Sequence, residues 1–211
     1  MNPIFYLFII PFFELLCLII SWYSFNKYSL TNERFFPYFL TYVFFNELLG
    51  ILLSFILGVD NNWIYNIYFF ISFNFYFYWY YKIINSRILK NIILLFSVSF
   101  SLVALYFFVS LKWDYYHEFT FIFGAILTIF VTTFHFYELL NNNKVIVVNN
   151  NLSFWISTGL LMFNLGMVPL MFFSKIFNAS NEVRILILIS LNFFLYACYS
   201  IGFILCKPTK D

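Results

Sequence analysis

Two acids lie where water should not reach. Glu14 and Glu47 each fall near the middle of a long apolar run. A carboxyl held in hydrocarbon must be protonated, paired with a cation, or turned toward a wet cavity. The chemistry open to such a group is proton exchange or cation binding. The stretch Phe44-Phe45-Asn46-Glu47-Leu48-Leu49-Gly50 places Asn46 beside the second acid. Gly50, Ser54 and Gly58 follow Glu47 at helical spacing, which predicts a thin polar face backed by lipid-facing Phe, Leu and Ile. Glu14 carries Cys17 and Ser21 on its own face. With no Lys or Arg mid-span to pair them, both acids are expected to be mainly protonated near neutral pH, because desolvation disfavours the charged form.

Other polar groups reach the same depth. Counted from the ends of their apolar runs, Asn74, Ser99, Thr128, Asn164 and Asn192 fall within about two helical turns, or ~10 Å, of the two acids. Such groups should turn inward and bond to one another. The candidate ligand or proton site is therefore Glu14, Glu47, Asn46, Asn74, Asn164 and Asn192. The competing reading is a purely structural polar core that fixes helix register.

His135 and Glu138 are secondary candidates, one turn apart. An acid–imidazole pair at this spacing supplies only two ligands, and the other histidine, His117, is expected on the opposite side of the membrane. A three-histidine metal hydrolase is excluded by inventory, so His135 reads as a core or interface residue and no metal is expected. No mid-span Lys is present for a retinal Schiff base, and no GxSxG elbow occurs. No catalytic constellation emerges, so neither enzyme activity nor a cofactor is expected.

The elements that must position these residues follow from composition. Of 211 residues, 64% are hydrophobic, 27% aromatic and 9% charged. A soluble domain carries about 25% charged residues, so this reads as an integral membrane protein. A net charge of +2 gives no reason to expect a nucleic-acid partner. Cys17, Cys198 and Cys206 form no CxxC pair and read as small hydrophobes. Apolar runs predict a single all-α domain over 1–211, a polytopic seven-transmembrane-helix bundle spanning 4–22, 36–57, 63–83, 88–111, 119–140, 152–173 and 183–205. The first run lacks the basic flank of a signal peptide and is expected to stay as a helix.

Within those spans, Ser97, Ser101 and Ala104 make a small-residue face, and Gly124, Thr128, Thr132, His135 and Glu138 share a side. Asn66, Asn74, Tyr78, Tyr81 and Asn85 can share a stripe in the third span. Gly159, Gly166 and Pro169 predict close packing or a bend in the sixth. The short apolar piece 145–148, between two Asn triplets, is expected at the interface.

Orientation follows from the connectors. One side collects Lys27, Arg34, Lys82, Arg87, Lys90, Lys144, Lys207 and Lys210, the other only Lys112, Lys175 and Arg184. The positive-inside rule then puts the N-terminus outside and the C-terminus in the cytoplasm. Trp22, Trp63, Trp79, Trp113 and Trp155 fall near span ends, where an aromatic belt is expected.

At Asn62-Trp63-Ile64-Tyr65-Asn66, and again at Phe154-Trp155-Ile156-Ser157-Thr158-Gly159 with Pro169 downstream, the chain resembles an uncharacterised family of small seven-span membrane proteins of Bacteroidetes-type bacteria. The resemblance implies a bacterial inner membrane and a stand-alone bundle. It brings no activity and no functional residue. Three functions stay open: a sensor or signalling protein with a mid-membrane polar site and a membrane or cytoplasmic protein partner; a small transporter or channel using Glu14 and Glu47; and an accessory subunit of a membrane complex. Under all three the lipid bilayer is a partner.

Overall fold

The computed structural model describes residues 3–110, 115–141, 150–172 and 181–206. Lys112, Trp113, Lys144, the 145–148 piece, Lys175, Lys207 and Lys210 lie outside the described residues. Among those described there is no strand. The helices are α1 (Pro3–Tyr23), the short α2 (Phe25–Tyr28), α3 (Phe36–Ile51), α4 (Asn62–Ile83), α5 (Arg87–Ser110), α6 (Glu118–Asn141), α7 (Leu152–Phe172) and α8 (Asn181–Leu205). Five helical stretches are long and apolar enough to cross a membrane: Asn32–Ile56, Arg87–Ser110, Glu118–Asn141, Leu152–Phe172 and Glu182–Leu205. The chain is an all-α, multi-pass membrane protein.

Two long helices fall outside that set for different reasons. For α1 the apolar helix counted is the shorter Phe8–Tyr23. The α4 helix has the length, at 22 residues, but its tyrosines and asparagines dilute its hydropathy. It tolerates them because it runs through the interior: Phe69, Phe73, Phe77, Trp79 and Tyr80 are all buried. Trp79 is thus a core residue stacked among Phe36 and Tyr80, not part of an interfacial belt.

Packing closes a ring. The α1 helix lies against α3 and α8, α8 against α7, α7 against α6, α6 against α4, and α4 against α3. The α5 helix stands outside the ring on α4 and α6, with Leu94, Leu95, Val98, Leu102 and Leu105 exposed for lipid. Asn74 faces α5 rather than the ring interior: its Oδ1 accepts from Ser97 Oγ at 3.0 Å and Ser101 Oγ at 3.1 Å.

The second predicted span does not continue as one polar-faced helix to residue 57. At Leu52 the backbone widens into a π-helical turn, Leu52–Ile56, and Gly58 (φ 63°) ends it in the left-handed region. Each added residue rotates the following side chains off the face, so Ser54 is exposed and the inward face stops at Gly50.

The two ends of the bundle are built differently. Where α1 ends, α8 also ends, and its free carbonyls are capped from α1 and α2: Ser24 Oγ donates to Phe203 O at 3.2 Å, Lys27 Nζ to Phe203 O and Ile204 O at 3.4 Å, and Tyr28 OH to Cys206 O at 2.7 Å. A cation and hydroxyls are what a helix C-terminus favours. At the same end Tyr80 OH donates to Ser157 Oγ at 2.8 Å, and His135 Nε2 lies 3.2 Å from Ser153 Oγ. The opposite end has its own ties. There Asn66 bridges backbone groups, donating to Tyr115 O at 2.8 Å and accepting from His117 N–H at 2.9 Å.

Glycines set the α7–α8 spacing. A methyl at Gly159 would meet Leu195 O and Cys198 Cβ at 3.1 Å, Gly166 sits against the Leu191 side chain, and Gly202 faces Trp155. Gly159→Val should push the helices apart at a cost of about 1–3 kcal/mol, read as a lowered melting temperature of the detergent-solubilised protein; an unchanged melting temperature would contradict this packing.

Candidate functional site

Helical spacing on five ring helices turns one face each toward a common cavity. These faces are Ile10 and Glu14 on α1; Phe39, Val43, Asn46 and Glu47 on α3; Tyr65, Tyr68, Ser72 and Tyr76 on α4; Leu160, Asn164, Met167 and Met171 on α7; and Leu188, Asn192, Tyr196 and Tyr199 on α8. Each set repeats at intervals of three, four or seven, the period of a helix face. Phe121 of α6 and Tyr116 of the α5–α6 connector complete the wall, and the cavity encloses about 290 Å³.

Five of the six sequence-predicted residues therefore meet: Glu14, Glu47, Asn46, Asn164 and Asn192. Asn74 does not, for it serves the α4–α5 contact. Neither do His135 and Glu138. His135 is buried against Tyr80 and Ser153, while Glu138 accepts from the backbone N–H of Asn85 at 2.8 Å and of Ser86 at 3.5 Å, capping the start of α5. Ser99 and Thr128 bond back to their own helices. Among the described residues no three His, Cys, Asp or Glu side chains gather where a metal could bind.

The two acids differ in setting. Glu14 is only 5% exposed; its Oε1 accepts from Tyr196 OH at 2.9 Å, and its Oε2 has no hydrogen-bond partner among the described residues. Glu47 is half-buried on the α3 side, with Tyr65 OH 3.4 Å from its Oε2. Tyr65 can stand there because residue 50 is glycine, where a methyl would meet its hydroxyl at 2.9 Å. Asn61 Nδ2 holds that turn by donating to Gly50 O at 3.0 Å. Asn164 and Asn192 turn their amide N–H groups onto Leu160 O and Leu188 O, both at 2.8 Å, which leaves their oxygens for the cavity.

The tyrosines are the part that sequence reasoning missed. Tyr65, Tyr68 and Tyr76 with Ser72, and Tyr196 with Tyr199, line the cavity, yet in a chain with 17 tyrosines each looked unremarkable. The signal was present as the Tyr65, Tyr68, Ser72, Tyr76 spacing. The Ser72 hydroxyl lies beside Tyr68, and the Tyr199 hydroxyl beside Tyr76.

Among the described residues no Lys, Arg or His lines the cavity. Where α6 begins, burial keeps the Tyr116 phenol above its usual range, so it stays a neutral O–H donor. Burial likewise pushes the neighbouring His117 imidazole below its ordinary value, which leaves that ring uncharged near neutral pH. The described lining offers acceptors, aromatic side chains and two acids.

No family model, curated protein or solved structure matches this chain.

If Tyr196 and Glu14 form one buried unit, their substitutions must couple. Tyr196→Phe leaves Glu14 Oε1 unmet and should cost about 1–3 kcal/mol. In a thermal-unfolding cycle with Glu14→Gln the two effects should be non-additive by about 0.5 kcal/mol or more; strict additivity would mean that the 2.9 Å bond contributes nothing.

Proposed function

We propose that this chain is a seven-span protein of a bacterial inner membrane, N-terminus outside, that receives a small molecule in the bundle and signals the event at its cytoplasmic face. The observation that carries this is the cavity itself, which holds both mid-span acids, in a bundle whose end at Tyr28 and Cys206 is cross-linked by side chains. A ligand entering past Asn46, Glu47 and Tyr65 meets a closed floor of Phe36, Trp79, Tyr80 and Phe203, each 1% exposed or less. Occupancy can shift α3, whose π-helical turn is a soft joint, but passage onward would require breaking the Tyr80–Ser157 and Ser24–Phe203 contacts. A cytoplasmic protein partner is then needed to read the change. The bacterial inner membrane rests on the resemblance noted at Asn62–Asn66 and Phe154–Gly159.

Orientation rests on charge. Among the described residues the cross-linked end carries Lys27, Arg34, Lys82, Arg87 and Lys90 with Glu33 and Glu138, while the other end carries Asp60, Glu118, Glu182 and Arg184. The positive-inside rule makes the first end cytoplasmic. With α1 and α4 added to the five apolar stretches there are seven spans, whose direction reverses six times along the chain.

A transporter is the second reading, favoured by the two acids in one cavity, since such a pair can exchange protons for a cation. It needs access from both sides.

Cysteine labelling decides both matters in a background lacking Cys17, Cys198 and Cys206. With an impermeant maleimide on intact cells, Asp60→Cys should react and Arg87→Cys should react only after permeabilisation; the reverse pattern would invert the topology. For the cavity, Tyr65→Cys should label from outside and Ser157→Cys from neither side. Labelling of Ser157→Cys from the cytoplasm would favour the transporter.

A further inference from the structure

We propose that the cavity takes a small organic cation, an ammonium group on an apolar body about the size of one or two rings, with its nitrogen between Glu14 and Glu47. This rests on the reading above that the cavity is a ligand site, and adds the class of ligand.

Charge comes first. Two carboxyls share the cavity, and among the described residues no basic side chain lines it. An ammonium guest lets a carboxyl there ionise as its counter-ion, a compensation that an anion or a neutral guest cannot supply. Unmet hydrogen bonding points the same way. Glu14 lines the cavity, and its buried Oε2 has no hydrogen-bond partner among the described residues. An ammonium N–H supplies that donor as a charge-assisted bond, stronger than a neutral one.

The walls suit the rest of such a molecule. Tyr68, Tyr76, Tyr196 and Tyr199 line the cavity together with Glu14, and a cation over an aromatic face is attracted by the ring quadrupole, the more so when desolvated. Size excludes simpler cations. A dry apolar cavity of about 150 Å³ accommodates benzene, so 290 Å³ has room for a ring with an aminoalkyl arm. A bare alkali ion would leave most of that space empty, and the absence of a third acidic, His or Cys ligand among the described residues argues against a divalent metal.

The test uses the full chain in lipid nanodiscs, with binding measured calorimetrically against empty nanodiscs. Three probes of one shape differ only in charge: phenethylammonium, phenethyl alcohol and phenylacetate. Phenethylammonium should bind about tenfold or more tightly than the alcohol, and phenylacetate not at all. Glu14→Gln and Glu47→Gln should each weaken phenethylammonium by about tenfold while leaving the alcohol unchanged. If Glu14→Gln fails to fold, Glu47→Gln carries the test, because its side chain is half-exposed and the change keeps its shape. Equal binding of alcohol and ammonium, indifferent to both substitutions, would overturn the cation assignment while leaving a ligand cavity in place. If none of the three binds and none protects Tyr65→Cys from labelling, the ligand-site reading falls with it.

Discussion

Hydrocarbon offers no hydrogen bonds, so each polar group in a membrane-crossing helix must find its partner within the protein. Most of this bundle can be read as the working out of that constraint. The hydroxyls of Thr41, Thr128, Thr133, Thr158 and Ser190, and the amides of Asn74, Asn164 and Asn192, turn back on the carbonyl four residues earlier. Others staple helices, as Asn74 does with Ser97 and Ser101, or cap their ends, as Glu138 and Tyr28 do. Against that background the atoms left over carry information. Among the described residues Tyr42, Trp79, His117 and Thr120 hold such atoms at scattered places, while Glu14 Oε2 belongs to a residue of the cavity wall.

Depth along the membrane was legible in the sequence, because it follows from counting residues out of each apolar run. That is why Glu14, Glu47, Asn46, Asn164 and Asn192 could be put together before any coordinates. Azimuth was not. Asn74 lies at the same depth as the acids but points out of the ring toward α5, and aromatic residues on every side of α4 hide which face is inward. The proposed stripe through Asn66, Asn74, Tyr78 and Tyr81 is not the cavity face: Asn66 ties the α5–α6 connector, and Tyr78 and Tyr81 are exposed. The π-helical turn before Gly58 leaves no trace in hydropathy. Ser54 was misassigned to the inward face for that reason.

Close packing and openness divide the molecule between them. The α7–α8 pair, brought together at Gly159, Gly166 and Gly202, has little freedom to slide without steric conflict. The α3 helix has more: its outer half exposes Phe45, Leu48, Leu49 and Leu52, and it ends in an irregular turn. The cavity lies between these two regions, with Tyr196 and Tyr199 of α8 on the first side and Glu47 of α3 on the second. A site built this way holds one acid by a 2.9 Å bond from Tyr196 and the other by a longer 3.4 Å contact with Tyr65.

The bond between Tyr196 and Glu14 joins residues 182 positions apart. At a synthesis rate of roughly 5–20 residues per second, the first helix waits about 10 to 40 s before its partner is made. Throughout that interval α1 enters the bilayer with a carboxyl that no nascent neighbour from α8 can satisfy. Until then α1 can pack only on α3, and the surface it keeps for α8 stays uncovered. The order of translation therefore leaves the contact at Glu14 among the last of the bundle to form.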